Sequence, residues 1–592
     1  MPANGVDPLW PRRLLDSVTM TSFERQGDST YNGIPEPRYS VLSYTWGRFT
    51  AKTESDGSRL EIGGVTWAIP AIDKHRAFNA AEFENVIKQT SVISGNRFVW
   101  VDVACIDQEN ITVKMEEIGR QAGIFANARA AFVWLWTAAL DELRESIDNM
   151  AGVLSIWPKA ANLAQWLSLE GPDSITTRSK QDQDGCSEHD AAALERLRRA
   201  VYTILGDWWF SSLWTLQEQG LKEDAWVLSR EGLPVENEEI DSEYYESTNP
   251  SNGNVTDWKI EMLYASIFDV TVGLRDTFHV LQLPYLQHIF QDPDLQHTTN
   301  HISDLIRHAG YTSIPVASNP NFFFTLARTR KATYELDRIY GTMSLYNIRV
   351  GAAGPDADVS KRYTLEELEE EFNFALNAKS PILGQLFLHV EEPHHGKTWQ
   401  MTQWARVPDI LSDLGFDFHS GADGPSIFDG FEVVRGIPGG PAKIRGSITP
   451  FECIIQHWRA VFAPENKRGS FESQVILQVD DYICKANTSI PYVNHLQSDR
   501  QMQRAKYINA TIEGLIETFG SKRLSIIGLG ETGTGGSDPS PRSYALLLLH
   551  DELDSAQCRR IGICYCVDLC LRDSVYDIGD YSEWAAYEGF IF

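Results

Sequence analysis

The run RAAFVWLW, residues 129–136, constrains the fold more than any other stretch. Apart from Arg129 every residue is apolar, and most are aromatic or β-branched. No polar face alternates with the apolar one, so both faces must be covered. A short run of this kind reads as a central strand of a parallel sheet. Such a strand needs helices on both sides, and its neighbours supply them. RYSVLSY (38–44), RFVWVDVAC (97–105) and DAWVLSREG (224–232) read as further strands. In the second of these, Phe98, Trp100 and Asp102 face one way and Val99, Val101 and Val103 the other. EFENVIKQTSV (82–92), VKMEEIGRQAGIFANA (113–128) and AAALERLRRAVYTILGD (191–207) read as helices, the second with Met115, Ile118, Ala122 and Phe125 on one stripe. RLEIGGVTWAIP (59–70) reads as a hairpin turning at Gly63-Gly64. The alternation of strand and helix predicts an α/β domain with a mostly parallel sheet over residues 1–235.

The pattern changes beyond that point. An acidic stretch rich in Glu, Asn, Ser and Pro (230–257) reads as a linker, and 168–190 as an inserted loop. Residues 236–360 are expected to hold the linker and a helical segment, and 361–592 a C-terminal α+β region. There RYTLEELEEEFNFAL (362–376) is helical, and RLSIIGL, SYALLLLH and RRIGICYCVDL are strand-like. A chain of 592 residues is long enough for several cores.

Charge and cysteine usage exclude several classes. A net charge of −29 argues against nucleic acid as a partner, because phosphate binding needs a basic face. No apolar run is long enough for a membrane span, and the N-terminus lacks the apolar core of a signal peptide. Eight scattered cysteines do not form a disulfide framework, so a reducing, cytoplasmic setting is expected. No metal signature is present: Cys564 and Cys566 read as strand packing, and His394-His395 as part of a polar loop. GLGETGTGG (528–536) contains GxGxxG, but two prolines follow where a phosphate-binding helix would start, so it reads as a loop.

Three aromatic and polar clusters stand where chemistry is expected: SYTWG (43–47), DVACIDQ (102–108) and LWTLQE (213–218). The first two follow strands, and parallel sheets bind ligands at the carboxyl ends of their strands. The competing account is packing, with Trp46 and Trp214 as core anchors and Asp102 and Glu218 satisfying backbone donors.

These blocks, in this order, resemble the fungal heterokaryon-incompatibility (HET) domain: YSVLSYTWG, FVWVDVACIDQEN, GRQAGIFANARAAFVWLW and WWFSSLWTLQE, together spanning about residues 38–220. Later segments, ARTRKATYELDRIYGTMSLY and QWARVPDIL, resemble what often follows that domain. One departure is Ser212, where the family usually has Arg. The resemblance implies a trigger of regulated cell death after non-self recognition. It also implies a remote likeness to TIR domains, some of which hydrolyse NAD, and hence a TIR-like (flavodoxin-like) fold. VLSY (41–44) is similar to the first TIR strand, and Trp214 precedes Glu218 by the four positions seen in active TIR enzymes.

That resemblance makes Glu218 the candidate catalytic residue. Ser43, Tyr44, Trp46, Gly47, Arg48, Asp102, Cys105, Gln108 and Trp214 become candidates for binding NAD or a related nucleotide, which is a substrate and not a cofactor. The chemistry is consistent with this. Nicotinamide leaves NAD as a neutral base, so cleavage needs a carboxylate facing the oxocarbenium ion and no general acid. A Trp face holds a pyridinium by cation–π attraction. Gly47 lets backbone amides approach a diphosphate, and Arg48 offers it a charge partner. Two other readings stay open: a non-catalytic module for self-association or partner binding in non-self recognition, and a hydrolase using Cys105 as nucleophile.

Overall fold

A computed structural model describes residues 10–45, 49–51, 57–73, 78–156, 187–222, 225–235, 293–309, 320–355, 357–358, 360–408, 430–436, 441–455, 475–491, 501–532, 542–567 and 584–592. The chain divides into two compact units. The first is residues 1–314 with 329–362, and the second is 315–328 with 363–592. No helix among the described residues is long and apolar enough to cross a membrane.

The first unit is built on a six-stranded sheet. Its strands are β1 (Arg13–Asp16), β2 (Thr21–Glu24), β3 (Tyr39–Ser43), β4 (Phe98–Trp100), β5 (Ala130–Trp134) and β6 (Trp226–Leu228), in the order β6-β5-β3-β4-β1-β2. The four strands from β6 to β4 run parallel, and β1 and β2 close the far edge antiparallel. All of β3 and β4 is buried: β4 is apolar throughout, and the two serines of β3 have hydrogen-bond partners, Ser40 with Ser94 and Asn96 and Ser43 with Trp209. The chain passes from β3 to β4 on one side and returns to β5 on the other. The strand order therefore reverses between β3 and β5, and the carboxyl ends of the strands at such a reversal are where parallel α/β sheets bind ligands.

Helix α1 (Ala80–Ser94) covers the sheet. Asn79 and Glu82 form a capping box at its start, and Gly95 at φ 68° ends it. Its inner residue Phe83 stacks on Trp134 at 5.5 Å, and Phe78 packs on the same indole at 4.5 Å. Short helices α2 (Asp102–Cys105), α3 (Ile111–Ile118) and α4 (Gln121–Asn127) follow β4. Helices α5 (Leu140–Ile156) and α6 (Ser187–Leu205) then lead, through the 3₁₀ turn Trp208–Ser211, to α7 (Leu213–Leu221).

Several local expectations change. The strand at 97–105 stops at Trp100, and Asp102 opens a helical turn. The helix expected at 113–128 breaks at Gly119-Arg120, because Arg349 and Ala353 occupy the space beside Gly119: an added Cβ would meet the Ala353 carbonyl oxygen at 2.8 Å. No hairpin forms at 59–70. Gly63 instead exchanges backbone hydrogen bonds with Met20 and Ser22, and Gly64 sits at φ 75°. The linker and inserted loop lie largely outside the described residues.

The second unit is centred on a seven-stranded sheet. Glu432–Val434 (β7), Ala442–Pro450 (β8), Val475–Val479 (β9), Leu524–Thr532 (β10), Arg542–His550 (β11), Gln557–Val567 (β12) and Ala585–Ile591 (β13) run in the order β7-β8-β10-β11-β12-β9. Strand β13 pairs with both β8 and β12, so five strands close on themselves as a barrel. The first residues of GLGETGTGG are part of β10, with a register shift at Gly528/Gly530 where Gly530 adopts φ 144°, and the rest lies outside the described residues. Cys564 is buried in β12. Arg560 and Asp480, both fully buried, pair at 3.0 Å.

Candidate active site

Ser43 ends β3 at the point where the strand order reverses. Its hydroxyl accepts a hydrogen bond from the Trp209 indole N–H at 2.7 Å and donates to the Glu218 carboxyl group. Trp209 belongs to the 3₁₀ turn, which Asp207 caps by accepting from the Trp209 amide at 2.8 Å. The other Asp207 oxygen accepts from the Thr137 amide and hydroxyl, just past β5, at 3.1 and 2.8 Å. The turn is thus tied to the ends of both β3 and β5, and it delivers α7 with Glu218 to the place where the strand order reverses.

Tyr44, the next residue, donates its hydroxyl to Asp102 Oδ1 at 2.6 Å. That oxygen also accepts the Val103 amide at 2.7 Å. Asp102 follows β4, so the two hydrogen-bonded pairs join three elements around one point. Their electrostatics agree with that closeness. Burial pushes the Glu218 carboxyl up to about 8, with the Asp102 charge adding to the rise and the Ser43 hydroxyl opposing it. Burial also raises Asp102, against the Tyr44 and Val103 hydrogen bonds. Burial and the Asp102 and Glu218 charges drive the Tyr44 hydroxyl well above its usual range. Glu218 keeps partial solvent exposure as a residue, but its Oε2 is enclosed and has no hydrogen-bond partner among the described residues. A perturbed carboxyl alone would not single out this place. Glu117, raised by burial to about 7, is a core group that accepts the Arg12 amide at 2.9 Å.

The remaining candidates divide. Trp214 lies one turn before Glu218 on α7, and its side chain hydrogen-bonds Asp337. Gln108 is half-buried in the loop after α2. Cys105 is not brought into the group: it is 1% exposed, its thiol is directed at the Val99 carbonyl at 3.9 Å, and burial pushes it up to about 12. A thiol so enclosed and so weakly acidic is a core hydrophobe and not a nucleophile. Trp46, Gly47 and Arg48 lie outside the described residues.

Sequence reasoning missed the segment that holds α7. Lys331 bridges the start of that helix, donating to the Ser211 carbonyl at 2.8 Å and accepting the Leu213 amide at 3.1 Å. Arg330, 2% exposed, donates to the Trp209 and Ala309 carbonyls at 3.1 and 2.8 Å. The Ser344 amide donates to Gln217 on α7 at 3.3 Å. Lys114 sits where its charge acts on both Asp102 and Asp337. The stretch RTRKATYELD was visible, but no local pattern tied it to α7.

The architecture and clusters meet in one comparison: residues 39–218 match the family model described as Heterokaryon incompatibility protein (HET). This segment is a HET domain. Its match begins at the first residue of β3 and ends on Glu218, so it contains Ser43, Tyr44, Asp102 and Glu218 but neither Arg330 nor Asp337. No curated protein and no solved structure matches the chain.

Proposed function

We propose that this HET-domain chain acts in the cytoplasm in cell-death signalling of the heterokaryon-incompatibility type, by cleaving NAD(+) at its nicotinamide N-glycosidic bond. The observation that carries the reading is the desolvated Glu218 carboxyl, set beside Asp102 at the carboxyl ends of parallel strands. The order of the four parallel strands and the Trp214–Glu218 spacing support a remote likeness to TIR domains and, with it, activity as a homo-oligomer.

The chemistry follows from the charges. With its proton affinity raised to about 8, Glu218 is largely protonated at neutral pH in the free protein. A pyridinium ring brings a positive charge next to it, which favours the ionised form and releases the proton. The C–N bond then breaks, nicotinamide leaves with the bonding electron pair, and the ribose carries oxocarbenium charge opposite the carboxylate. Water adds to the ribose carbon and loses a proton, giving ADP-ribose.

A second reading is favoured by one feature. Tyr44, Ser43 and Trp214 each already have a protein partner, as in a network that only fixes the shape of a partner-binding surface. Nicotinamide release by the purified full chain, followed from pH 6 to 9, separates the two. The catalytic reading expects kcat/KM to rise with pH towards about 8, and Glu218→Gln to lower turnover on the order of a hundredfold or more. Equal turnover in the variant, or none in the folded wild type at high protein concentration, selects the binding module.

A further inference from the structure

We propose that the second unit carries a binding site for a small phosphate-bearing molecule. A cavity of about 590 Å³ opens beside β11 and β12, within the size range of small-ligand sites. It is walled by the loop Glu392–Thr398, by Tyr482 and by Phe592.

The argument turns on Arg559. Successive residues of a strand face opposite ways. Arg560 is fully buried and paired with Asp480, while Arg559 lines the cavity. Among the described residues the Arg559 side chain has no hydrogen bond or ion pair. The cavity's other arginine, Arg523, is already engaged by Glu552 at 2.6 Å and by the His550 carbonyl at 3.1 Å. The cavity's two acids are Asp551, whose Oδ1 accepts the Leu553 and Asp554 amides, and Glu392, whose charge also reaches the Tyr482 phenol. Arg559 therefore presents an uncommitted guanidinium in a chain of net charge −29. The Tyr482 phenol lies within its electrostatic reach. His394 and His395 also line the cavity, with the His395 ring 5.2 Å from Phe592. A planar fork of donors, a hydroxyl and two imidazoles match the several acceptor oxygens of a phosphate.

Alternatives fit less well. Among the described residues no three His, Cys, Asp or Glu side chains gather as a metal site. Cys558, at the cavity wall, has its thiol raised by burial to about 12 and directed at the Phe590 carbonyl, so it is no nucleophile.

The test is calorimetric titration of the full chain with inorganic phosphate, ADP and malonate. Phosphate and ADP are expected to bind, malonate at least tenfold more weakly. Arg559→Gln is expected to weaken phosphate binding at least tenfold, Arg559→Lys by less, and Tyr482→Phe by a few-fold, all with unchanged melting. Glu218→Gln, in the first unit, leaves it unchanged, so failure here is separable from failure of the NAD reading. Phosphate binding unaffected by Arg559→Gln, lost in Glu218→Gln, matched by malonate or absent in the wild type overturns the proposal.

Discussion

Replacing Glu218 by Gln should change how stability depends on pH, and the direction follows from the site. The carboxyl is raised from its ordinary 4.5 to about 8 by burial and by the Asp102 charge. Below about pH 4.5 it is protonated in both the folded and the unfolded chain. Between 4.5 and 8 the unfolded chain has lost the proton and the folded one keeps it, so stability falls as pH rises through this window. Each pH unit of that window is worth about 1.4 kcal/mol. A window of this width would reach roughly 5 kcal/mol in a sealed site, and the partial exposure of Glu218 reduces that to about 2 kcal/mol through solvent screening. Gln resembles the protonated acid: it keeps an acceptor for the Ser43 hydroxyl and places a donor where Oε2 lies. The two proteins should therefore melt together only at or below about pH 4.5, where the acid is protonated in both the folded and the unfolded chain. By pH 8.5 the variant should be the more stable, by roughly 2 kcal/mol or a few degrees. Tryptophan fluorescence is a suitable probe, since most of the 17 tryptophans belong to the first unit. The Asp102 carboxyl is raised in both proteins, and its effect cancels to first order. Parallel melting curves across this range, or a wild type that gains on the variant with rising pH, would refute the desolvated carboxyl.

Two further outcomes are expected. Ending the chain at residue 235 removes Arg330, Lys331 and Asp337 from α7; the fragment should lose its cooperative melt and turn over no NAD, and in the full chain Arg330→Gln should destabilise by roughly 2–4 kcal/mol in denaturant titration. Cys105 should resist thiol reagents in the folded protein, and Cys105→Ala should cost about 1 kcal/mol in the same titration while leaving nicotinamide release intact.

The parallel core is legible because its strands carry their own signal. FVW and AAFVW carry no polar residue and YSVLS only two small serines, and a run with no charged or strongly polar face has few places to go but a sheet covered on both sides. The antiparallel strand β1, only four residues long, has no such signature in the sequence. Gly63 reads as part of a hairpin because two adjacent glycines signal a turn, whereas here they let the backbone lie close against Met20 and Ser22. The break at Gly119 is equally hidden. Nothing within 113–128 demands it; the space beside Gly119 is taken by residues more than two hundred positions later.

The same distance effect explains what is legible at the site. Ser43 and Asp102 announce themselves because each opens a recognisable block just past a strand, and Glu218 because it closes one, and the four parallel strands reverse their order at a single point. Their partners are set by packing. Trp209 reaches Ser43 only because Asp207 ties its turn to Thr137, and α7 keeps its angle only because Arg330 and Lys331 hold the preceding carbonyls. Arg330 is buried with its charge, which is tolerable only while the Trp209 and Ala309 carbonyls stay in place. The buried guanidinium and the helix that carries Glu218 are therefore coupled: a change that loosens residues 330–344 also loosens Glu218. A partner that pulls on that segment would act on the site without touching a residue of the matched domain.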